Sequence, residues 1–300
     1  MAAMTAAIST VPFAKMNGIG NEITVLDLRA SPLRLDAEKA RMIAAERLTA
    51  FDQLMTIEPP RTAGTDAFMH IFNTDGSLSG ACGNGTRCVG LVLAEESGRS
   101  DFMLETSAGL LAVRAESAAR ITVDMGRPRF AWHEIPLAEP VADTRALVMD
   151  WGVSEAPMLR SCSLVNVGNP HVIFWVDDAA AIDLARIGPI LERHPLFPER
   201  ANISLAVQTG PDALRLVVWE RGAGMTRACG SAACAAAVAA ARTGRTGRRV
   251  AVTLPGGTLD ILWRADDQIL MTGAAEFEHD GRLGFDAHGA LRLECSPAAR

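Results

Sequence analysis

The pattern of apolar and polar positions along this chain predicts many short strands. Runs rich in β-branched residues, typical of strands, occur at Glu22–Leu28 and Val172–Val176. Further short apolar runs are Phe102–Thr106, Leu110–Ala115, Ile121–Met125, Leu214–Glu220, Val250–Leu254, Leu259–Trp263 and Ile269–Thr272. Turn-forming residues are expected to separate the strands, among them Asp75-Gly76, Pro255-Gly256-Gly257 and Asp280-Gly281.

Helical spacing is confined to a few segments. Asp36–Leu48 opens with an aspartate suited to an N-cap, and Thr86–Glu96 and Ala232–Arg242 each begin just after a Cys-Gly turn. Many strands with few helices do not fit a doubly wound βαβ fold. The pattern predicts an α+β fold of two pseudo-symmetric domains, each a curved, mostly antiparallel sheet around a central helix.

The two halves of the chain resemble each other, which indicates an internal duplication. Residues 16–27 and 165–177 each hold a Gly-Asn turn that leads into a β-rich run ending in Asp. The strings ACGNG (81–85) and ACGSA (228–232) also correspond. Asn21 precedes Cys82 by 61 positions and Asn169 precedes Cys229 by 60, a register that chance would rarely keep.

This duplication predicts the domain limits. We expect a first half over residues 1–130, a second half over 131–272, and a C-terminal segment over 273–300 whose tail is partly disordered. The Pro-rich stretch Gly126–Asp143, which is poor in periodicity, is expected to be the linker between the halves.

Composition and charge do not favour a nucleic-acid-binding or a membrane-spanning protein. Hydrophobic residues make up 49% of the 300 residues, enough for a sizeable core, and the net charge is -6. A nucleic-acid partner is not expected, because phosphate binding relies on Lys and Arg. No stretch predicts a membrane span. The first ten residues lack the features of a signal peptide and are expected to be a disordered leader, so a cytoplasmic location is predicted.

Two of the six cysteines stand where chemistry is expected. Cys82 and Cys229 each precede a helix, whose dipole and free N–H groups stabilise a thiolate and can hold a carboxylate. Stereoinversion needs two acid/base groups on opposite faces of one carbon, and one thiol from each half would supply them. A zinc site is not favoured, because Cys88 and Cys234 follow these cysteines at six and five residues rather than in CxxC spacing.

These motifs together resemble diaminopimelate epimerase over residues 12–282. The resemblance is carried by Lys15–Asn21, Phe72–Gly76, Cys82–Cys88, Gly168–His171, Glu220–Gly224 and Ala228–Ser231. It implies cofactor-independent epimerisation of LL- to meso-diaminopimelate, in lysine and peptidoglycan precursor biosynthesis, with no metal and in a homodimer. It also implies that residues after about Gly273 return to the first domain.

The resemblance assigns a role to each matching position. Cys82 and Cys229 correspond to the base and acid, with Cys82 acting on the LL isomer and Cys229 on the meso isomer. The reacting carboxylate would be held by the N–H groups of Gly83, Asn84, Gly230 and Ser231. Gln53 matches a position close to the substrate. The distal amino and carboxylate groups would be bound by Asn21, Asn73, Asn169, Asn202, Glu220 and Arg221.

Part of this assignment has its own physical argument. An arginine can clamp a carboxylate in a planar fork, so Glu220 and Arg221 suit a second amino-acid head. Neighbours on a regular strand point to opposite faces, so the strand must end or bend there, which Gly222 would allow. The remaining cysteines, Cys88, Cys162, Cys234 and Cys295, are expected to be buried apolar residues. His171 is either a core histidine or a pocket residue.

Other functions remain open at this point. A proline or hydroxyproline racemase would share the scaffold, but the string Glu-Arg-Gly-Ala-Gly before Cys229 speaks against it. An isomerase of the phenazine-biosynthesis type would lack the two cysteines. A non-catalytic amino-acid-binding relative would not require Cys82 and Cys229.

Overall fold

The computed structural model of the chain describes residues 10–153, 156 and 158–295. It divides the chain into two compact units, one formed by residues 1–121 with 274–300 and the other by residues 122–273. Residues 1–9 of the expected leader and residues 296–300 of the expected disordered tail lie outside the described part. Thr10, the last residue of the expected leader, begins the first strand.

The first unit is built on a six-stranded sheet with two helices. Its elements in chain order are β1 (Thr10–Asn17), β2 (Glu22–Asp27), α1 (Ala37–Ala45), β3 (Gln53–Ile57), β4 (Ala67–Phe68), β5 (Ile71–Asn73), α2 (Gly83–Ser97), β6 (Asp101–Thr106) and β7 (Gly109–Ser117). β8 (Arg120–Asp124) crosses the boundary, and β18 (Glu276–Phe285) and β19 (Leu291–Cys295) complete the unit.

Strand order in this sheet is β19-β18-β1-β2-β3-β5. All neighbours are antiparallel except β2 and β3. The central helix α2 packs against β2, β3 and β7, and ten of its fifteen residues are buried. The sheet's other apolar side chains form a separate core with Ile43 of α1, a helix that Asp36 caps by accepting the N–H of Lys39 at 2.9 Å.

The second unit repeats this plan. It contains β9 (Leu147–Val148), β10 (Ser161–Asn166), β11 (Pro170–Trp175), a 3₁₀ turn (Ala179–Ala181), α3 (Leu184–Glu192), β12 (Asn202–Gly210), β13 (Ala213–Glu220), β14 (Gly224–Thr226), α4 (Gly230–Arg242), β15 (Arg249–Leu254), β16 (Gly257–Trp263) and β17 (Ile269–Gly273). Strand order is β17-β16-β15-β13-β12-β11-β10-β9, with β14 beside β13. The alanine-rich α4 is almost wholly buried against these strands.

Element order and pairing correspond between the units, as the duplication predicts. β1, β2, α1, β3, β5, α2, β6 and β7 match β10, β11, α3, β12, β13, α4, β15 and β16. In each unit the second and third of these strands are parallel, a pairing that sets Ile23 beside Gln53 and His171 beside Asn202. The predicted α+β class, with few helices and mostly antiparallel strands, is confirmed.

Two local predictions were wrong. Asp280-Gly281 is no turn, because both residues lie inside β18, where Gly281 pairs with Phe13 on one side and Cys295 on the other. A side chain at Gly281 would come within 2.6 Å of a neighbouring carbonyl, so close strand packing explains the glycine. The segment Gly126–Asp143 is irregular but is no free linker, since Ile135 and Leu137 are buried in the second core.

Candidate active site

Cys82 is the N-cap residue of α2. Its backbone is extended, with φ −148° and ψ 102°, so the chain enters the helix just after the thiol. The sulfur accepts the N–H of Gly85 at 3.2 Å, and the Cys82 carbonyl accepts the N–H of Thr86 at 2.9 Å. The side chain is partly exposed. A helix N-terminus and a donated N–H both favour negative charge on sulfur, so this setting stabilises a thiolate.

Buried side chains of the first unit stabilise the turn of helix that follows Cys82. Asn84 is buried, and its side-chain oxygen accepts Nη1 of the fully buried Arg87 at 3.0 Å. Arg87 also donates from Nε to the carbonyl of Ala274 at 3.2 Å. Because the first N–H groups of a helix have no partner within it, those of Gly83 and Asn84 are suited to an anion.

Three further predicted binders meet at one edge of the first sheet. Asn21 precedes β2, Gln53 begins β3 and Asn73 ends β5, and Gln53 pairs with Asn73 in the antiparallel register. The Asn21 amide nitrogen donates to Asp52 at 3.1 Å, whereas its buried oxygen has no partner among the described residues. A buried acceptor without a donor is costly, so Asn21 is suited to receive a ligand N–H.

Cys229 is the N-cap residue of α4 but has different surroundings. It is buried, makes no side-chain cap bond to the helix, and lies 3.5 Å from the hydroxyl of Ser231. Burial raises the pKa of the Cys229 thiol well above its ordinary value, and the nearby Glu220 carboxylate raises it further. In this state Cys229 is a neutral thiol that can donate a proton.

His171 lies behind Asn169 and fixes the orientation of its amide. Burial, with a smaller contribution from Arg221, lowers the pKa of His171 to about 3, so the ring is neutral. Its Nε2 lies 2.8 Å from the Asn169 side-chain oxygen, to which it donates in the tautomer that this contact requires. The amide nitrogen of Asn169 is thereby turned toward the Ser231 hydroxyl, 3.4 Å away.

The last three predicted binders surround the end of β13. Glu220 is its final residue, and Arg221 begins a turn that contains Gly222 with φ +79°. The strand therefore ends where the two side chains would otherwise have to diverge. Asn202 accepts the N–H of Arg221 at 2.9 Å and donates to the Pro170 carbonyl at 3.0 Å. Arg221 is exposed and donates to the Glu199 carbonyl at 2.9 Å.

Strand register shows that the predicted site residues correspond in pairs. Asn21 and Asn169 each lie two residues before the position that pairs with the first residue of the third strand, which is Gln53 in one unit and Asn202 in the other.

A second correspondence lies on the next strand. Asn73 pairs with Gln53, and Glu220 occupies the equivalent place opposite Asn202, next to the pair Ile203–Trp219. Each unit thus sets an amide before the second strand, an amide at the third, and a polar group opposite it.

The other cysteines behave as expected where they are described. Cys88, Cys162 and Cys234 are fully buried, and burial raises the pKa of Cys88 to about 12. The side chain of Cys295 lies outside the described residues. Within residues 10–153, 156 and 158–295, no cluster of His, Cys, Asp or Glu could hold a metal ion. No helix in that same part of the chain is long and apolar enough to cross a membrane.

Two polar residues beside the predicted binders were missed from the sequence. Asp52 accepts from the side chain of Asn21 and from the N–H of Glu22. Glu192, at the end of α3, is buried and accepts from Trp219 and Gly222, on either side of Glu220 and Arg221. The signal for Glu192 was available: Leu184, Ile187 and Leu191 after a capping Asp183 predict a helix with one carboxylate among apolar positions.

Solved structures with the same fold include two proteins named as epimerases and one named as a phenazine-biosynthesis protein. A hydroxyproline epimerase from Agrobacterium vitis superposes with a TM-score of 0.64 at 15% identity, covering 94% of both chains. A predicted epimerase from Pseudomonas aeruginosa gives 0.65 at 18% identity, covering 90% of this chain and 98% of the other. A Bacillus anthracis protein of the PhzF phenazine-biosynthesis family gives 0.64 at 15%, covering 92% and 99%. At these identities the likeness shows the fold alone.

Sequence comparison is more specific. The sequence model of the family described as diaminopimelate epimerase matches residues 13–131 and 163–278. The diaminopimelate epimerase of Chelativorans sp. (strain BNC1) is 54% identical over 289 residues, which cover 96% of this chain and 98% of the relative. That of Brucella anthropi is 56% identical over 270 residues, covering 90% of each. With its two helix-capping cysteines in equivalent places, this chain belongs to the diaminopimelate epimerase family.

Proposed function

We propose that this protein converts LL-2,6-diaminopimelate to meso-diaminopimelate by a two-cysteine mechanism without a cofactor. The observation that carries the mechanism is the equivalence of Cys82 and Cys229, each the N-cap of the central helix of its unit. Cys88 and Cys234 lie on the same two helices but one position out of register, six and five residues after the N-caps. A protein that only bound amino acids would have no use for two thiols at these places.

The two thiols take different roles in the proposed reaction. Cys82, as thiolate, removes the α-proton of the LL isomer, and Cys229 delivers its S–H proton to the opposite face of the resulting carbanion. The Gly85 N–H on the Cys82 sulfur and the raised pKa of Cys229 support this division of base and acid. The reverse reaction starts from the opposite protonation states, with Cys229 as base on the meso isomer.

The carbanion must be stabilised by groups that are fixed before the reaction. We assign this role to the backbone N–H groups of Gly83, Asn84, Gly230 and Ser231, which would hold the reacting carboxylate as negative charge spreads onto it. These residues begin α2 and α4, so the positive end of each helix dipole also stabilises the negative charge on the carboxylate.

The distal amino-acid head would be bound by the polar groups at the strand ends. Arg221 suits the distal carboxylate, while Glu220 and the free acceptor of Asn21 suit the distal ammonium. Asn73, Asn169 and Asn202 complete this set, and Gln53 lies beside Asn73 at the strand edge. A racemase for proline or hydroxyproline would have no use for a second charged head site.

A chirality assay in deuterated water tests the proposal. LL-diaminopimelate should yield the meso isomer with deuterium at the inverted α-carbon, because that proton comes from a thiol that exchanges with solvent. L-proline, trans-4-hydroxy-L-proline and L-lysine are the controls and should remain unchanged. Product without deuterium would refute the two-base scheme, and turnover of proline in place of diaminopimelate would refute the substrate.

We further propose that the enzyme acts in the cytoplasm as a homodimer. The cytoplasmic location is inferred from the family's role in lysine and peptidoglycan precursor biosynthesis, and the dimer is inferred from the family resemblance. Analytical ultracentrifugation at micromolar concentration should give about twice the chain mass of 31.9 kDa. A monomer at that concentration would contradict the dimer.

A further inference from the structure

Glu192 is a buried carboxylate at the end of α3 to which no catalytic or binding role has been assigned. Its side chain is only 4% exposed. A carboxylate at this depth is unfavourable unless donors satisfy it. The groups that donate hydrogen bonds to Glu192 therefore show which part of the molecule it stabilises.

Those donors lie on both sides of Glu220-Arg221. Oε2 accepts the indole N–H of Trp219 at 2.7 Å, and Oε1 accepts the backbone N–H of Gly222 at 3.2 Å. Arg200 approaches Oε1 at 3.5 Å and offsets the charge. One carboxylate thus ties together the residue before and the residue after the pair that is proposed to bind the distal head.

The indole of Trp219 is also fixed from the helix side. A side chain at Gly188 of α3 would come within 2.5 Å of the indole ring, so the ring lies directly against the helix. A Cβ at Gly224, which has φ +83°, would lie 3.6 Å from the far edge of the same ring. Trp219 therefore transmits the position of α3 to the end of β13.

The turn itself is secured by two side chains in succession. Asn202 accepts the N–H of Arg221, and Glu192 accepts the N–H of Gly222. Gly222 has a left-handed backbone, which a free chain leaves readily, so these two bonds hold the turn in one conformation. The direction of the exposed Arg221 side chain follows from that conformation.

We infer that Glu192 is a positioning residue for Arg221: it holds the Trp219–Gly222 turn so that the guanidinium is set to receive the distal carboxylate of the substrate. This inference rests on the proposed function, because it takes the distal-head role of Arg221 from it. Glu192 itself touches no substrate in this scheme. Its effect is on substrate binding, transmitted through one arginine.

The test is steady-state kinetics of Glu192→Gln, with Glu139→Gln as the matched control at an exposed site of the same unit. The glutamine keeps the shape but turns an NH₂ group toward either the indole N–H or the Gly222 N–H, so one donor loses its acceptor. We expect KM for diaminopimelate to rise at least tenfold and kcat to change less than threefold. The control should match the wild type.

A double-mutant cycle separates positioning from general structure. If Glu192 acts through Arg221, Glu192→Gln should raise KM by less than twofold in an Arg221→Gln background. An equal rise in both backgrounds, or an unchanged KM in the single variant, would overturn the inference. Wild-type protein that fails to epimerise diaminopimelate would overturn the proposed function and this inference together, whereas active wild type with additive variants would overturn this inference alone.

Gly188→Ala keeps the test decisive if Glu192→Gln does not fold. The added methyl displaces the indole while alanine favours the helix. We expect KM to rise about threefold or more, with the thermal unfolding temperature lowered by roughly a few degrees through overpacking and the protein still folded at the assay temperature. A wild-type KM in folded Gly188→Ala would overturn the inference.

Discussion

The two cysteine sites occupy equivalent places in the duplicated fold, yet their surroundings have diverged. Cys82 is partly exposed, whereas Cys229 is buried beside Ser231 and Glu220. In the first unit the position of Glu220 is taken by the neutral Asn73. The difference teaches that the two units keep the same extended backbone at both N-caps, while burial and the Glu220 carboxylate of the second unit raise the pKa of Cys229.

The packing around the two helix starts has diverged in the same way. In the first unit Gly85 lies against Met55, whose sulfur would be 2.4 Å from an added methyl. At the equivalent positions the second unit has Ala232 and Ser204, both fully buried. The second unit thus has the small Ser204 on the strand and alanine on the helix, whereas the first unit has the large Met55 on the strand and glycine on the helix. This exchange explains how Ala232 is accommodated in the second unit where the first unit has Gly85.

The largest expected effect comes from removing either sulfur. Cys82→Ala and Cys229→Ala should each lower kcat for epimerisation by about 10²–10⁴-fold, because each removes one of the two proposed acid/base groups. Circular dichroism should show an unchanged fold. The controls are Cys88→Ala and Cys234→Ala, which truncate buried thiols on the same helices and should retain most activity. Turnover within tenfold of wild type in either main variant would break the assignment.

Low pH should destabilise the second unit through His171, whose counterpart in the first unit is Ile23. The unfolded chain binds a proton at this histidine below about pH 6.5, but the folded chain does not until about pH 3. The contribution of neutral His171 to the free energy of unfolding is therefore fully present above pH 6.5. It is lost as pH falls toward 3, at about 1.4 kcal/mol per pKa unit.

Urea unfolding between pH 7 and pH 4 measures this effect. The free energy of unfolding should fall less steeply in His171→Gln than in wild type, whereas His133→Gln, at an exposed histidine, should follow the wild type. Parallel pH profiles for wild type and His171→Gln would contradict the depressed pKa.

The rates at which Cys82 and Cys229, the two proposed catalytic thiols, are alkylated should differ by about tenfold or more. Iodoacetamide reacts with thiolate, so at pH 8 the partly exposed Cys82 should be modified before the buried Cys229, whose pKa is raised. Peptide mass mapping of samples taken over time gives both rates, with Cys234 as the unreactive internal reference. Faster modification of Cys229 would reverse the proposed division of base and acid.

The smallest expected effect tests the packing exchange. Gly85→Ala should lower the free energy of unfolding by about 1 kcal/mol, since the methyl overpacks against Met55. The cost is modest because the atoms it meets belong to the end of a flexible side chain. In a Met55→Ser background, which copies the second unit, the same change should be neutral or stabilising. Equal losses in both backgrounds, measured by urea unfolding, would contradict the pairing of these positions.

Local signals in the sequence predicted a large part of the fold. The predicted helix at Asp36–Leu48 is α1 with Asp36 as its cap, although it ends at Ala45. The helices after the two cysteines begin at Gly83 and Gly230, three and two residues earlier than their apolar spacing indicated, because small residues carry little periodic signal. The expected turn at Asp75-Gly76 is confirmed, with Gly76 at φ +83°.

What the sequence did not predict depends on distant residues or on a competing local signal. Helix α3 was missed because Pro189 lies inside it, and proline is normally read as a helix breaker. Asp280-Gly281 favours a turn locally, but pairing with β1 from the other end of the chain overrides it. The contacts of Glu192 could not be predicted for the same reason, since 27 to 30 residues separate it from its donors.

The return of β18 to the first unit has a consequence for synthesis. β18 lies between β1 and β19, so β1 has its neighbour supplied by a strand that is synthesised much later. Residues 122–273, by contrast, form a continuous unit that can fold while translation proceeds. The nascent chain should therefore acquire its later half first, and the sheet that supports Cys82 closes only once residues 276–285 have emerged.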